Sequence, residues 1–304
     1  MKKRMSLLPL MLLLAFLFTG CAKGVAKPDT PVNPSSVYPL TLVDHTGRTV
    51  VINAEPQRYV SLLPNLTEIL YALGLGDRVS GVTKYCYFPP EAQDVEKIGD
   101  AFSPNIEKVL FLGPDMVLSG KGSKLDEVLP VLEENGITVA VFDPKTMDGI
   151  EDVILQIAYL AQVEQRGQDL VAEIQAARRD IGESVARQNL PRPGVFVMID
   201  TDTLFTVGEG EFLSEMIEVA GGKNVASALG KGYLQISEEK LFELDPDIII
   251  ATYPMRDALL ARSGWQGLKA VQSGRVYDVD GDVVSRPGPR VAQGLEELFR
   301  AFYE

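Results

Sequence analysis

Histidine is almost missing from this chain of 304 residues: His45 is the only one. A Ser-His-Asp or Cys-His nucleophilic centre, or a zinc site of the HExxH type, would have to be built at that single position, in a predicted turn. Cysteine is nearly as scarce, with Cys21 and Cys86 alone, and Trp265 is the one tryptophan. Gly120-Lys121, Gly222-Lys223 and Gly230-Lys231 all lack a glycine five positions earlier, so no phosphate-cradling P-loop is present. The longest apolar run at the start, Leu7 to Phe18, has 12 residues, short of the roughly 20 needed to span a bilayer. Positive charge is the minority, with 29 Lys+Arg against 42 Asp+Glu and a net charge of −13. That balance, without any basic stripe, speaks against a nucleic-acid partner. The enzymatic alternative that survives these absences is a carboxylate-based hydrolase, because two acids can be brought together from any two positions. The reading favoured is a protein without enzymatic activity.

The first residues address an export route. Lys2, Lys3 and Arg4 precede the apolar run, and Leu17-Phe18-Thr19-Gly20-Cys21 follows, so 1–20 read as a signal peptide. The end of that stretch resembles a bacterial lipobox, with Cys21 as the lipid acceptor and the cell-envelope membrane as the anchor. Once Cys21 carries lipid, Cys86 has no disulfide partner and reads as a small buried thiol. Residues 21–37, with Pro28, Pro31, Pro34, Ser35 and Ser36, read as a lipidated cysteine on a disordered tether.

Beyond the tether the pattern is α/β. Leu40 to Asp44 and Thr49 to Ile52 flank Thr46-Gly47 and predict a hairpin. Strand-like runs at Tyr59 to Leu62, Val79 to Thr83, Met116 to Leu118 and Ile137 to Phe142 alternate with helical stretches, which predicts a parallel sheet covered on both faces. Asn65 and Glu68 have the spacing of a helix-opening capping box, with Gly74 closing that helix. From Asp148 to Leu160 and Val163 to Gln188 the pattern is purely helical. The second piece is about 40 Å long at 1.5 Å per residue, a length suited to a strut between two lobes. After Pro191 and Pro193, strands are predicted at Val195 to Ile199, Ile248 to Thr252 and Val276 to Val279, with a helix from Phe212 to Ala220. Trp265, Leu268 and Val271 read as core. The organisation expected is therefore an N-terminal α/β lobe at 38–147, a helical connector at 148–190 and a C-terminal α/β lobe at 191–304, two Rossmann-like lobes on a long rigid helix.

An internal repeat supports this division. Glu107-Lys108-Val109-Leu110-Phe111-Leu112-Gly113-Pro114-Asp115-Met116-Val117-Leu118 recurs 132 residues later as Glu239-Lys240-Leu241-Phe242-Glu243-Leu244-Asp245-Pro246-Asp247-Ile248-Ile249-Ile250. Each unit is a short helix, a Pro-Asp break and an apolar strand, with Asn105 and Ser237 at equivalent cap positions.

Together with Val60-Ser61-Leu62-Leu63-Pro64-Asn65-Leu66-Thr67-Glu68, Tyr85-Cys86-Tyr87-Phe88-Pro89-Pro90-Glu91-Ala92 and Ser285-Arg286-Pro287-Gly288-Pro289-Arg290, the repeat resembles the class III periplasmic substrate-binding proteins. These serve ABC importers of iron–siderophore, haem and cobalamin, and the likeness covers Tyr38 to Glu304. It implies two rigid lobes about a shallow cleft, modest closure, no intrinsic cofactor and a large metal chelate as ligand. A receptor for haem or a bare metal ion is the alternative within this fold. The closest likeness is to the cobalamin-binding branch, which places cleft residues at Tyr85, Tyr233, Asp282 and Arg286. Where that branch has cleft tryptophans, this chain has Ala101-Phe102 and Gly120-Lys121, which makes Phe102 and Lys121 candidates as well. The ligand implied is cobalamin, another corrinoid or a ferric siderophore, met by aromatic faces and rim polar groups. Core packing is the competing account of Tyr85 and Phe102, and an ion pair with Asp282 that of Arg286. The resemblance also implies that Glu107 and Glu239 dock, one per lobe, on arginines of the permease dimer that works with its ATPase. The plainer account is that acids in a helix's first turn favour its dipole.

Overall fold

Short apolar runs that are buried on both faces become the central strands of two all-parallel sheets, as such runs do when helices cover both sides. The computed structural model describes residues 37–100, 102–121, 125–200 and 203–304. The expected leader, Cys21 and the tether up to residue 36 lie outside the described residues. From edge to edge the first sheet runs Val79–Val82, Tyr59–Ser61, Met116–Ser119 and Thr138–Val141. The second runs Lys223–Asn224, Gly194–Met198, Ile248–Ala251 and Val276–Asp278. Counted by chain order within each half, both sheets read 2-1-3-4. The repeat seen in the sequence is thus a repeat of topology.

Its local chemistry is repeated too. Asn105 caps the helix Ile106–Leu112 by accepting the amide of Lys108 at 3.0 Å, and Ser237 caps Glu238–Leu244 by accepting that of Lys240 at 3.2 Å. The helices end on left-handed residues, Gly113 at φ 56° and Asp245 at φ 38°. The aspartates of the two Pro-Asp breaks then tie each third strand to the start of the first. Asp115 accepts the amides of Gln57 and Arg58 at 2.9 Å, and Asp247 accepts that of Gly194 at 2.7 Å.

The connector is two antiparallel helices, Met147–Leu160 and Glu164–Arg187, the second 24 residues and so about 36 Å long. Gly167 lets them cross closely, since a Cβ there would meet that of Ala158 at 2.5 Å. One apolar cluster runs through this pair. It joins Leu66, Ile69 and Leu70 of the first half to Ile150, Ile154 and Ile157, then to Val171, Ile174 and Ile181, and on to Met216, Leu295 and Leu298 of the second. A core shared in this way stiffens the link between the halves, because close-packed interiors resist deformation. Trp265 is fully buried in a second cluster with Leu268 and Val271, as expected, and its indole donates to Glu238.

The expected capping box at Asn65 and Glu68 does not form. Leu63, extended at φ −134° and ψ 144°, takes the cap position, and Pro64 opens the helix Pro64–Ala72, where its missing N–H is of no consequence. Asn65 and Glu68 are therefore inside the helix, both buried, and find their partners in the other half of the molecule. The strand pairs Gly99–Asp100 with Ser103–Pro104, and Phe205–Val207 with Tyr233–Gln235, were not foreseen. Two or three residues carry too little alternation to register as a strand in sequence.

Candidate binding cleft

In open parallel sheets the loops beyond the carboxyl ends of the strands form the binding crevice. Here those loops bring together the three segments that carry the resemblance, and Glu68 is where they meet. Its side chain is 1 % exposed and accepts from Arg286 at 2.9 Å and from Arg290 twice at 2.8 Å, through Nε and Nη2. The forked contact of Arg290 is the geometry that makes arginine–carboxylate pairs directional. Burial alone would weaken the charge on Arg290, but Glu68 outweighs it and holds the guanidinium pKa above its ordinary range. Beside this cluster Asn65 Nδ2 donates to the Pro287 carbonyl at 3.1 Å, and Gly288 lies against Asn65, where a Cβ would approach to 3.3 Å.

Around this buried cluster the cleft opens. Arg286 reaches Asp282 at 2.8 Å and the Tyr85 carbonyl at 3.4 Å. Its guanidinium lies 4.8 Å above the ring of Tyr87, whose hydroxyl hydrogen-bonds Asp282, and Arg290 lies 4.1 Å above the ring of Phe88. Burial and Asp282 both raise the Tyr87 pKa. Tyr87 from one half and Thr252, Tyr253, Asp280, Asp282, Ser285 and Arg286 from the other line a cavity of about 430 Å³. Gly281 also lines it and packs so closely on Thr252 that a Cβ there would collide with the Thr252 carbonyl. A larger recess, of about 630 Å³, lies at the amino ends of the second sheet near Pro193, Asp247 and Arg275, away from these loops.

The expected site residues fall into two groups. Tyr85, Asp282 and Arg286 are brought together, with Tyr85 47 % exposed. Core packing is thereby excluded for Tyr85, and for Phe102, which is 65 % exposed near the tip of its two-residue strand pair. Tyr233 lies apart, stacked on Phe205 with ring centroids 6.2 Å apart and planes 5° from parallel. Its ring is 41 % exposed, but its hydroxyl is crowded. Burial, with Glu211 and Asp143 adding to it, pushes the pKa up to about 12. Lys121 is exposed just beyond the strand Met116–Ser119. Arg286 pairs with Asp282 as its competing account required, but it also holds Glu68, and its side chain is only 14 % exposed. Sequence reasoning missed Tyr87, Tyr253, Arg290 and the true role of Glu68. Tyr87 and Arg290 lie within segments that carry the family resemblance, and Tyr253 comes just after the apolar run Ile248–Ala251, the kind of position a carboxyl-end rule selects.

Glu107 and Glu239 are exposed in the first turns of their equivalent helices. The lysine after each is engaged elsewhere, Lys108 with Glu96 and the Lys97 carbonyl, Lys240 with Glu243. Hydrogen bonding from Ser237 lowers the pKa of Glu239.

Residues 60–283 match the family model described as periplasmic binding protein, and the chain belongs to that family. It is 36 % identical over 310 residues to an uncharacterized ABC transporter substrate-binding lipoprotein, YvrC, of Bacillus subtilis (strain 168), covering 100 % of this chain and 98 % of the relative. Among solved structures it resembles the periplasmic vitamin B12 binding protein BtuF of Vibrio cholerae, at 28 % identity and a TM-score of 0.73, over 81 % of this chain and 96 % of that one. It resembles equally the periplasmic heme-binding protein RhuT from Roseiflexus sp. RS-1, at 28 % identity and a TM-score of 0.73, over 81 % and 98 %. The fold is the two-lobed one of these binding proteins. The chain is an ABC transporter substrate-binding protein and not an enzyme, and the relatives just named for a ligand bind vitamin B12 or heme. Among the described residues no helix is long and apolar enough to cross a membrane.

Proposed function

We propose that this protein is an extracytoplasmic lipoprotein that captures a corrinoid such as cobalamin, or a ferric siderophore, and delivers it to a permease dimer driven by its ATPase. The observation that carries this reading is the exposed rings of Tyr85, Tyr87 and Tyr253 on loops beyond the strand ends, beside the polar cluster of Asp282 and Arg286, with Phe102 and Tyr233 as further exposed rings. Exposed aromatics are costly on a solvated surface and useful against a flat macrocycle or a bulky chelate. Lys121 joins them at the rim. The lobes 38–147 and 191–304 form the walls, and 148–190 is the stiff connector. Cys21 anchors the protein through lipid to the cell envelope, and Glu107 and Glu239 dock on the permease. A haem receptor is the second reading, favoured by the likeness to RhuT.

Titration calorimetry with cyanocobalamin and with ferric siderophores tests the ligand. Replacing Tyr85 or Tyr233 by Ala should weaken binding about tenfold, in line with about 1–1.5 kcal/mol for an aromatic contact, with the melting temperature little changed. A lowered melting temperature with unchanged affinity would identify these rings as structural. Cys21→Ser should abolish labelling by radioactive fatty acid, and persistent labelling would remove the anchor from the proposal.

A further inference from the structure

Phe111 is 88 % exposed, more than any other large apolar side chain among the described residues. One exposed ring is ordinary on a protein surface, so exposure alone decides nothing. Its surroundings do. Phe111 follows Glu107 by four residues on the helix Ile106–Leu112, so the ring and the acid share one face. Both are exposed, and Lys108, the next residue after the acid, is drawn away to Glu96 and the Lys97 carbonyl. The repeat supplies the contrast. In the second half Glu243 stands where Phe111 does, and it pairs with Lys240. The ring beside it, Phe242, is 38 % exposed and lies against Gly267, where a Cβ would come within 3.2 Å of it. The fold uses the ring of the second helix and leaves that of the first to solvent.

We propose that Phe111 is an apolar anchor for one permease subunit, seated in a hollow beside the arginine that Glu107 meets. The first lobe then docks by a ring and a charge, the second by a charge alone. The inference rests on the docking reading of the two glutamates and deepens it. A solvated acid–arginine pair sets orientation but adds little affinity, whereas an aromatic ring leaving water adds much more. Phenylalanine and arginine are both enriched where protein partners meet. A lipid surface would also take a ring, but Glu107 and a net charge of −13 oppose an anionic one. A protein that offers a guanidinium and an apolar hollow answers both residues at once.

The test replaces Phe111 with photoreactive benzoylphenylalanine in the full-length protein, inside the cells that make it, and identifies the conjugates formed on irradiation by mass spectrometry. The expected product joins this chain to a permease subunit of an ABC importer. Conjugates with lipid alone, with a second copy of the chain or with no permease overturn the proposal. Phe111→Ala should lower the amount of permease that co-purifies with the protein about tenfold, with the melting temperature unchanged, because the ring is buried only in the complex. Unchanged co-purification overturns the anchor. Glu107→Ala with Glu239→Ala separates this inference from the reading beneath it. A permease conjugate at position 111 that persists in the double variant, with uptake intact, removes the glutamate contacts and leaves the ring. Loss of uptake in the double variant, with no permease conjugate at position 111 when both glutamates are present, removes the ring alone.

Discussion

At the carboxyl ends of the first sheet, the loop from Tyr85 to Pro89 supplies aromatic rings. At those of the second, the stretch from Asp280 to Arg290 supplies charges and two arginines. Neither stretch is repeated in the other half, although Tyr253 adds one exposed ring from the second. Elsewhere the halves are copies, with the same strand order, equivalent caps at Asn105 and Ser237, and equivalent ties at Asp115 and Asp247. The duplication is a property of the scaffold, while the candidate site comes from loops in which the halves have diverged. That division is what a binding protein needs, since loops can change without disturbing the sheets that position them.

The comparison can be broken most forcefully at the docking residues. If the halves act as equivalent handles, Glu107→Ala with Glu239→Ala should abolish uptake of the ligand by intact cells. Each single change should be milder, because one contact still tethers one lobe. Ligand affinity and melting temperature should not move. Normal uptake by the double variant would show that the repeated glutamates serve only their helices.

Next in size is Glu68, whose unique position tests the divergence. Glu68→Ala leaves Arg286 and Arg290 without their shared partner and should cost about 3–5 kcal/mol in chemical denaturation. Glu215, in the second half, is a fair contrast. It holds Arg178 at 3.1 Å and the Met147 amide at 2.8 Å, but its side chain is 29 % exposed, and Glu215→Ala should cost about 1 kcal/mol. Equal losses would mean that the interlobe cluster has no special weight.

A sharper and smaller test addresses the copied part. Asn105→Ala and Ser237→Ala should each lower stability by about 1 kcal/mol, and by similar amounts, because each removes one helix-capping bond. Loss confined to one of them would show that the caps are alike in geometry but not in consequence.

The smallest effect expected is a pH dependence at a helix end that the other half cannot share. Gly113 has no side chain, whereas Asp245 at the equivalent position accepts the Lys269 amide at 3.0 Å, which lowers its pKa from 3.8. A carboxyl depressed on folding adds stability above its unfolded pKa and loses it as pH falls through the folded value. Acid melts of Asp245→Asn should therefore show a slightly shallower loss of stability below about pH 4 than the unaltered protein. Identical acid profiles would remove Asp245 from the account.

Much of the scaffold was legible in the sequence. The hairpin at the start, the long connector helices, the buried strands, the core position of Trp265 and the repeat with its caps all depend on interactions within a few residues or on burial of a continuous apolar run. The same local logic misled at Pro64-Asn65-Leu66-Thr67-Glu68, where the spacing of a capping box was present but the chain put Leu63 at the cap. The partners of Glu68 lie 218 and 222 residues away, and no periodicity encodes a contact of that range.

By itself the sequence determined the class of fold, the duplication and the family, because hydrogen bonds to the neighbouring backbone and hydrophobic patterning are written locally. The tertiary structure alone decided that Tyr85, Tyr87, Asp282 and Arg286 meet, that Phe102 is exposed, and that Glu68 holds both arginines. A buried carboxylate takes whatever cations the packing of two lobes brings to it, and only the folded chain fixes which those are.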